Sequence, residues 1–107
     1  MSLIDTIKDC LQIPFIEENH AVMDGSFTVT PYITDSLFGN SVPQSISVYS
    51  SVDLFYEKRT DAVNNGIKLF KALNNAQNIF CDNPDFTFEQ DANLWRTTLM
   101  VQEVLND

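Results

Sequence analysis

Between Ile46 and Gln77 the chain changes its hydrophobic period once, from every second residue to every third or fourth, and few folds accommodate that join. Ile46, Val48, Val52, Leu54 and Tyr56 fall on one side of an extended segment, and Ser47, Tyr49, Ser51, Asp53, Phe55 and Glu57 on the other. The first side reads as core. The second mixes Tyr49 and Phe55 with small and acidic residues, a surface suited to water in a single copy and to protein in an assembly. Lys58 and Arg59 close the strand, and Thr60 or Asp61 is positioned to cap a helix running to about Asn75. Val63, Gly66, Ile67, Phe70 and Leu73 trace its inward stripe, which predicts a helix laid on a sheet. Gly66 on that stripe costs up to about 1 kcal/mol in helix propensity relative to alanine, so its presence predicts close approach of helix to strand.

The flanking segments complete the plan. Ile4, Ile7 and Leu11 share a helical face over Leu3 to Leu11, Ser2 and Asp5 can form a capping box, and Pro14 prevents continuation. Asp24-Gly25 is a turn dipeptide that delivers the chain into the alternating FTVTPYIT, where Pro31 cannot donate to a ladder and predicts an edge or a bulge. From Asp35 to Ser45 turn formers predominate, which predicts a loop with the large apolar pair Leu37-Phe38 at its centre. That pair either folds back on the core or meets a neighbouring subunit. After the long helix, Asp82-Asn83-Pro84-Asp85 is a turn cluster leading to the strand FTFEQD. The last strand, LWRTTLMVQEVL, is fully polar on neither face, which predicts a mid-sheet position or a face covered by a partner. Residues 1–107 therefore read as one α+β domain, a mostly antiparallel sheet of about four strands with one long helix on a face and a short N-terminal helix.

Charge limits the partners. Six basic residues against fifteen acidic ones leave a net charge of −9, and a phosphate backbone, gripped through Lys and Arg contacts, is repelled by such a surface. No specific nucleic-acid binding is expected. The acidity serves solubility, or it lines a passage through which DNA slides without adhering. No apolar run is long enough to span a bilayer, and the first residues lack signal-peptide character, so a cytoplasmic protein is expected.

Candidate chemistry is sparse. No glycine-rich phosphate loop, GxSxG, HExxH or EF-hand loop occurs, so no catalytic residues, cofactor or metal are predicted. Cys10 and Cys81 have no neighbour at metal-ligand spacing and read as reduced structural thiols. His20, the single histidine, follows Glu17, Glu18 and Asn19 in what reads as a solvated loop. The acids between Asp82 and Asp91 read as a solvated hairpin in preference to a weak cation site.

The run from TPYIT through SISVYSSVDLFYEKRTD and GIKLFKAL to LWRTTLMVQEVL resembles the small tail-terminator, or tail-completion, proteins of siphoviruses, especially those of phages and prophages of Gram-positive bacteria. The resemblance covers roughly residues 13 to 105 and rests on packing positions: Pro31-Tyr32-Ile33, Val52-Asp53-Leu54-Phe55, and Trp95 through Val104. It carries no basic cluster or docking motif. It implies a virion protein of the tail and neck, made in the host cytoplasm, forming a hexameric ring on the last ring of tail tube protein. Such a ring stops polymerisation and presents a surface to the head-completion protein. Leu37, Phe38, Tyr49 and Phe55 are then the candidate interface residues, and Asp53 and Glu57 the candidate acids facing the lumen. Another head-tail connector or minor capsid protein of the neck would share these features. An acidic monomeric adaptor or DNA-mimic inhibitor would also account for the charge.

Overall fold

A computed structural model describes residues 2–17, 20–39 and 42–106, with the side chains of 35–39, 42–45 and 106 outside that description. The elements follow in the order α1 (Leu3–Leu11), β1 (Ser26–Gly39), β2 (Val42–Tyr56), α2 (Arg59–Asn75), β3 (Ile79–Cys81), β4 (Asp85–Glu89) and β5 (Leu94–Asn106). Among the described residues the fold is α+β, with two helices and a five-stranded antiparallel sheet.

β1 pairs with β2, β2 with β5, and both β3 and β4 pair with the far side of β5. β5 is therefore mid-sheet, the first of the two outcomes expected for a strand fully polar on neither face. The sheet has one strand more than the sequence suggests, because Ile79–Cys81 pairs with Val101–Glu103 where a lead into a turn was expected. β3 and β4 are two pieces of one broken border, separated by the Asp82-Asn83-Pro84 turn. Asn74 seals the outer side of β3: its Nδ2 donates to the Cys81 carbonyl at 3.1 Å and its Oδ1 accepts from the Cys81 N–H at 2.9 Å. A side chain thus satisfies backbone groups that an edge would otherwise offer to another strand.

The opposite border is β1, a position that suits Pro31, and its register against β2 shifts between Pro31 and Ile33. The predicted loop from Asp35 to Ser45 is instead an extension of this hairpin, paired as far as Gly39 with Val42. Polar composition misled the reading because a ladder joins backbone groups whatever the side chains. Leu37 and Phe38 are thereby strand residues, and their side chains lie outside the described set.

One face of the sheet carries the core. Phe27, Val52, Leu54, Leu99 and Val101 are buried there with Leu69 and Leu73 of α2 and Ile7 of α1. The helix touches the sheet through Ala62, Gly66, Leu69 and Leu73. Ile67, expected on this stripe, is 42% exposed, because the buried line is turned toward Gly66 and leaves Ile67 on the flank. A Cβ at Gly66 would lie 2.7 Å from Thr97 Cγ2, and the absent side chain is what lets the helix descend to the strand. Thr97 Oγ1, fully buried, donates to the Ala62 carbonyl at 3.0 Å, linking sheet to helix at the same point.

The caps divide. Ser2 Oγ accepts from the Asp5 N–H at 3.2 Å, the expected start of α1, and Gln12 in a left-handed conformation ends it ahead of Pro14. α2 begins at Arg59 with Lys58 as an N-cap that makes no side-chain bond, two to three residues before the cap the sequence suggests. Among the described residues no helix is long and apolar enough to cross a membrane.

Candidate functional site

Because strand side chains alternate, the face that β2 turns away from the helices is built from Ser47, Tyr49, Ser51, Asp53 and Phe55. Antiparallel register sets Arg96, Thr98, Met100, Gln102 and Val104 of β5 beside them. On the far side Asp85 and Thr87 of β4 are in register with Thr98 and Arg96, and Phe80 of β3 with Gln102. This open face divides into a covered half and an uncovered half.

The covered half surrounds Asp53. Arg96 Nε donates to Asp53 Oδ1 at 2.9 Å and Arg96 Nη1 to Glu89 Oε1 at 3.0 Å, while Thr98 Oγ1 donates to the same Asp53 oxygen at 2.6 Å. Ser51 Oγ adds a longer bond to Asp53 Oδ2. The bond to Asp53 raises the Arg96 pKa, burial opposes it, and the contact with Glu89 adds to the rise. At the end of this half Ser26 Oγ accepts from the Met23 N–H and donates to the Met23 carbonyl, tying the segment before β1 to the start of that strand. Phe55, in register between Ser26 and Arg96, is only 8% exposed.

Two expectations are corrected here. Asp53 is 6% exposed and ion-paired, so it is not a free acid available to a lumen. Phe55 belongs to the interior of the single chain and offers no contact surface. Alternation assigns both residues to the second face but does not say which part of that face the fold will bury. Glu57, by contrast, is exposed just beyond β2, where its N–H donates to Asp24 Oδ1 at 2.9 Å.

The uncovered half is apolar. Tyr49 is half-buried there, its ring 6.4 Å from that of Tyr32, and the register shift in β1 sets Ile33 opposite the same tyrosine. Phe80 is 57% and Ile33 54% exposed, and Tyr32 and Met100 are exposed as well. Tyr32, Tyr49, Phe80, Met100 and Gln102 border one shallow recess, with Asp82 at its margin. Of these, only Tyr49 was singled out from the sequence as an interface residue. Phe80 could have been found: Ile79 and Cys81 both pack toward the core, so a strand there must point Phe80 the other way.

A second apolar strip lies on the helix side of β4. Phe86 and Phe88 are 37% and 39% exposed, Phe88 meets Trp95 edge to face at 5.4 Å, and the Arg59 guanidinium lies 6.0 Å from the Trp95 ring centre.

Among the described residues reactive groups do not gather. Cys10 and Cys81 are both free, and burial pushes both thiols up, Cys81 to about 11. His20 is exposed. Among the described residues no group of three or more His, Cys, Asp or Glu is arranged to hold a metal ion. The chain matches no family model, and no curated protein matches it in sequence.

Proposed function

We propose that this protein is a structural subunit of a siphovirus virion, a tail terminator whose copies form a ring on the tail tube, end its polymerisation and offer a surface to the head-completion protein. The observation that carries the reading is the uncovered half of the sheet, where Tyr32, Ile33, Tyr49, Phe80 and Met100 remain accessible in a single copy. A contiguous aromatic surface of this kind marks a protein contact. Each aromatic fully buried on assembly would contribute roughly 1.5 to 3 kcal/mol before ordering costs. Tyr49 is retained from the residues expected at the contact, and Glu57 is retained as an acid available to a DNA passage.

The net charge of −9 fits a ring through which DNA moves without adhering. The proposed setting is the neck of the virion, reached from the host cytoplasm, and hexamer closure is part of the same proposal. Another neck or minor capsid protein could use the same surface. Purified protein added to self-assembling tail-tube subunits tests the reading, scored by tube length in electron micrographs. Short, capped tubes are expected; unlimited growth in its presence rejects termination.

A further inference from the structure

The chain's charges are segregated by layer. Lys8, Lys58, Arg59, Lys68 and Lys71 lie on α1, α2 or the α2 N-cap, against only Asp5, Asp9 and Asp61 in the same elements. Arg96 is the one remaining base, set against the chain's other twelve acids, and it is occupied by Asp53 and Glu89. The helical layer is therefore net positive in a strongly negative molecule. Its outward surface carries exposed Lys68 and Lys71 beside the exposed apolar Ile67. The opposite side of the molecule carries the apolar recess, with exposed Asp82 at its margin and exposed Asp85 two strands from Asp53 on the same face.

The geometry points to a front-to-back contact in which the outward surface of α2 in one copy docks on the open sheet face of the next. Ile67 would enter among Tyr32, Phe80 and Met100, and Lys68 and Lys71 would meet Asp82 and Asp85. The occupant is a second copy of this chain because the two surfaces complement each other in both charge and apolarity. Face-to-face packing would set acid against acid, and back-to-back packing base against base. Complementary surfaces on opposite sides of one protomer produce a heterologous contact, which closes into a ring or continues as a filament, and not a two-fold dimer. This inference rests on the proposed ring and extends it by assigning the two surfaces that meet.

Reciprocal charge reversal tests it. K68E/K71E and D82K/D85K alter exposed side chains, so melting curves matching the wild type establish that both variants fold. Sedimentation and native mass spectrometry in low salt should then show wild-type self-association, weakened about tenfold or more in each variant alone and by added salt. An equimolar mixture of the two variants should recover association between unlike chains. Variants that associate as the wild type does, or a mixture that gains nothing, overturn the front-to-back contact while leaving the ring to the tube-length assay. A wild-type protein monomeric at the highest attainable concentration also overturns it. Short tubes in the same preparation would still uphold termination.

Discussion

Arg96 reaches diagonally from β5 to Asp53 on the neighbouring β2, Nε to Oδ1 at 2.9 Å, and its Nη1 bonds Glu89 on the border strand. One side chain thus joins β2, β5 and β4 on the face that the helices leave open. Asp53 also accepts from Thr98, so its carboxylate is the acceptor on which this half of the face converges. Replacing it with alanine leaves Arg96 with Glu89 alone and Thr98 without its partner. Asp53→Ala is expected to cost about 1 to 3 kcal/mol, the range for a hydrogen-bonded charge at a partly exposed site. Urea titration checks this, and Glu57→Ala, altering an exposed acid whose backbone makes the local bond, should change stability by less than about 0.5 kcal/mol.

Gly66→Ala opposes two effects. Alanine would favour the helix by up to about 1 kcal/mol, whereas its methyl would lie 2.7 Å from Thr97 Cγ2, and overpacking of this kind costs about 1 to 3 kcal/mol. Net destabilisation is expected. Thr97→Ser removes the opposing methyl and keeps the hydroxyl that donates to Ala62, so the double variant should recover most of the loss. Thermal melts of the two single variants and the pair form the cycle that decides it.

Phe55 and Phe80 lie on the same face and should behave differently. Phe55→Ala removes a buried ring and is expected to destabilise the single chain by about 3 kcal/mol. Phe80→Ser changes a residue more than half exposed, so stability should stay within about 0.5 kcal/mol while self-association falls. Chemical unfolding and sedimentation on the same samples separate the two behaviours.

Glu103 lies in register between Val48 and Ile79 and borders a recess with Thr6, Ala76 and Asn78. Burial raises its carboxyl pKa, so the folded protein binds the proton more tightly than the unfolded chain. Stability from this group is full below the unfolded pKa and is lost as pH rises through the folded one. Glu103→Gln should therefore raise the melting temperature relative to wild type at neutral pH. Near pH 3.5, where the carboxyl is protonated in both states, the difference should vanish. A wild-type advantage that grows with pH would contradict the assignment.

Local pattern was enough for much of the architecture. Two-residue alternation from Ile46 located β2 and its core side, the caps and spacing around Leu3–Leu11 located α1, and a glycine on the inward helix stripe foretold close approach of helix to strand. Pro31 marked the border strand because a missing donor is a property of the residue itself. These inferences hold because backbone geometry and side-chain period are local. Tertiary structure decided what lay beyond that reach: that Asp53 is matched by Arg96 from β5, adjacent in the sheet but far along the chain, that Phe55 is buried on a face otherwise partly open, and that Phe80 and Tyr49 meet around one uncovered recess. Period two names the face of a strand, but pairing and loop placement determine whether a given stretch of that face is buried, charged or left for another molecule.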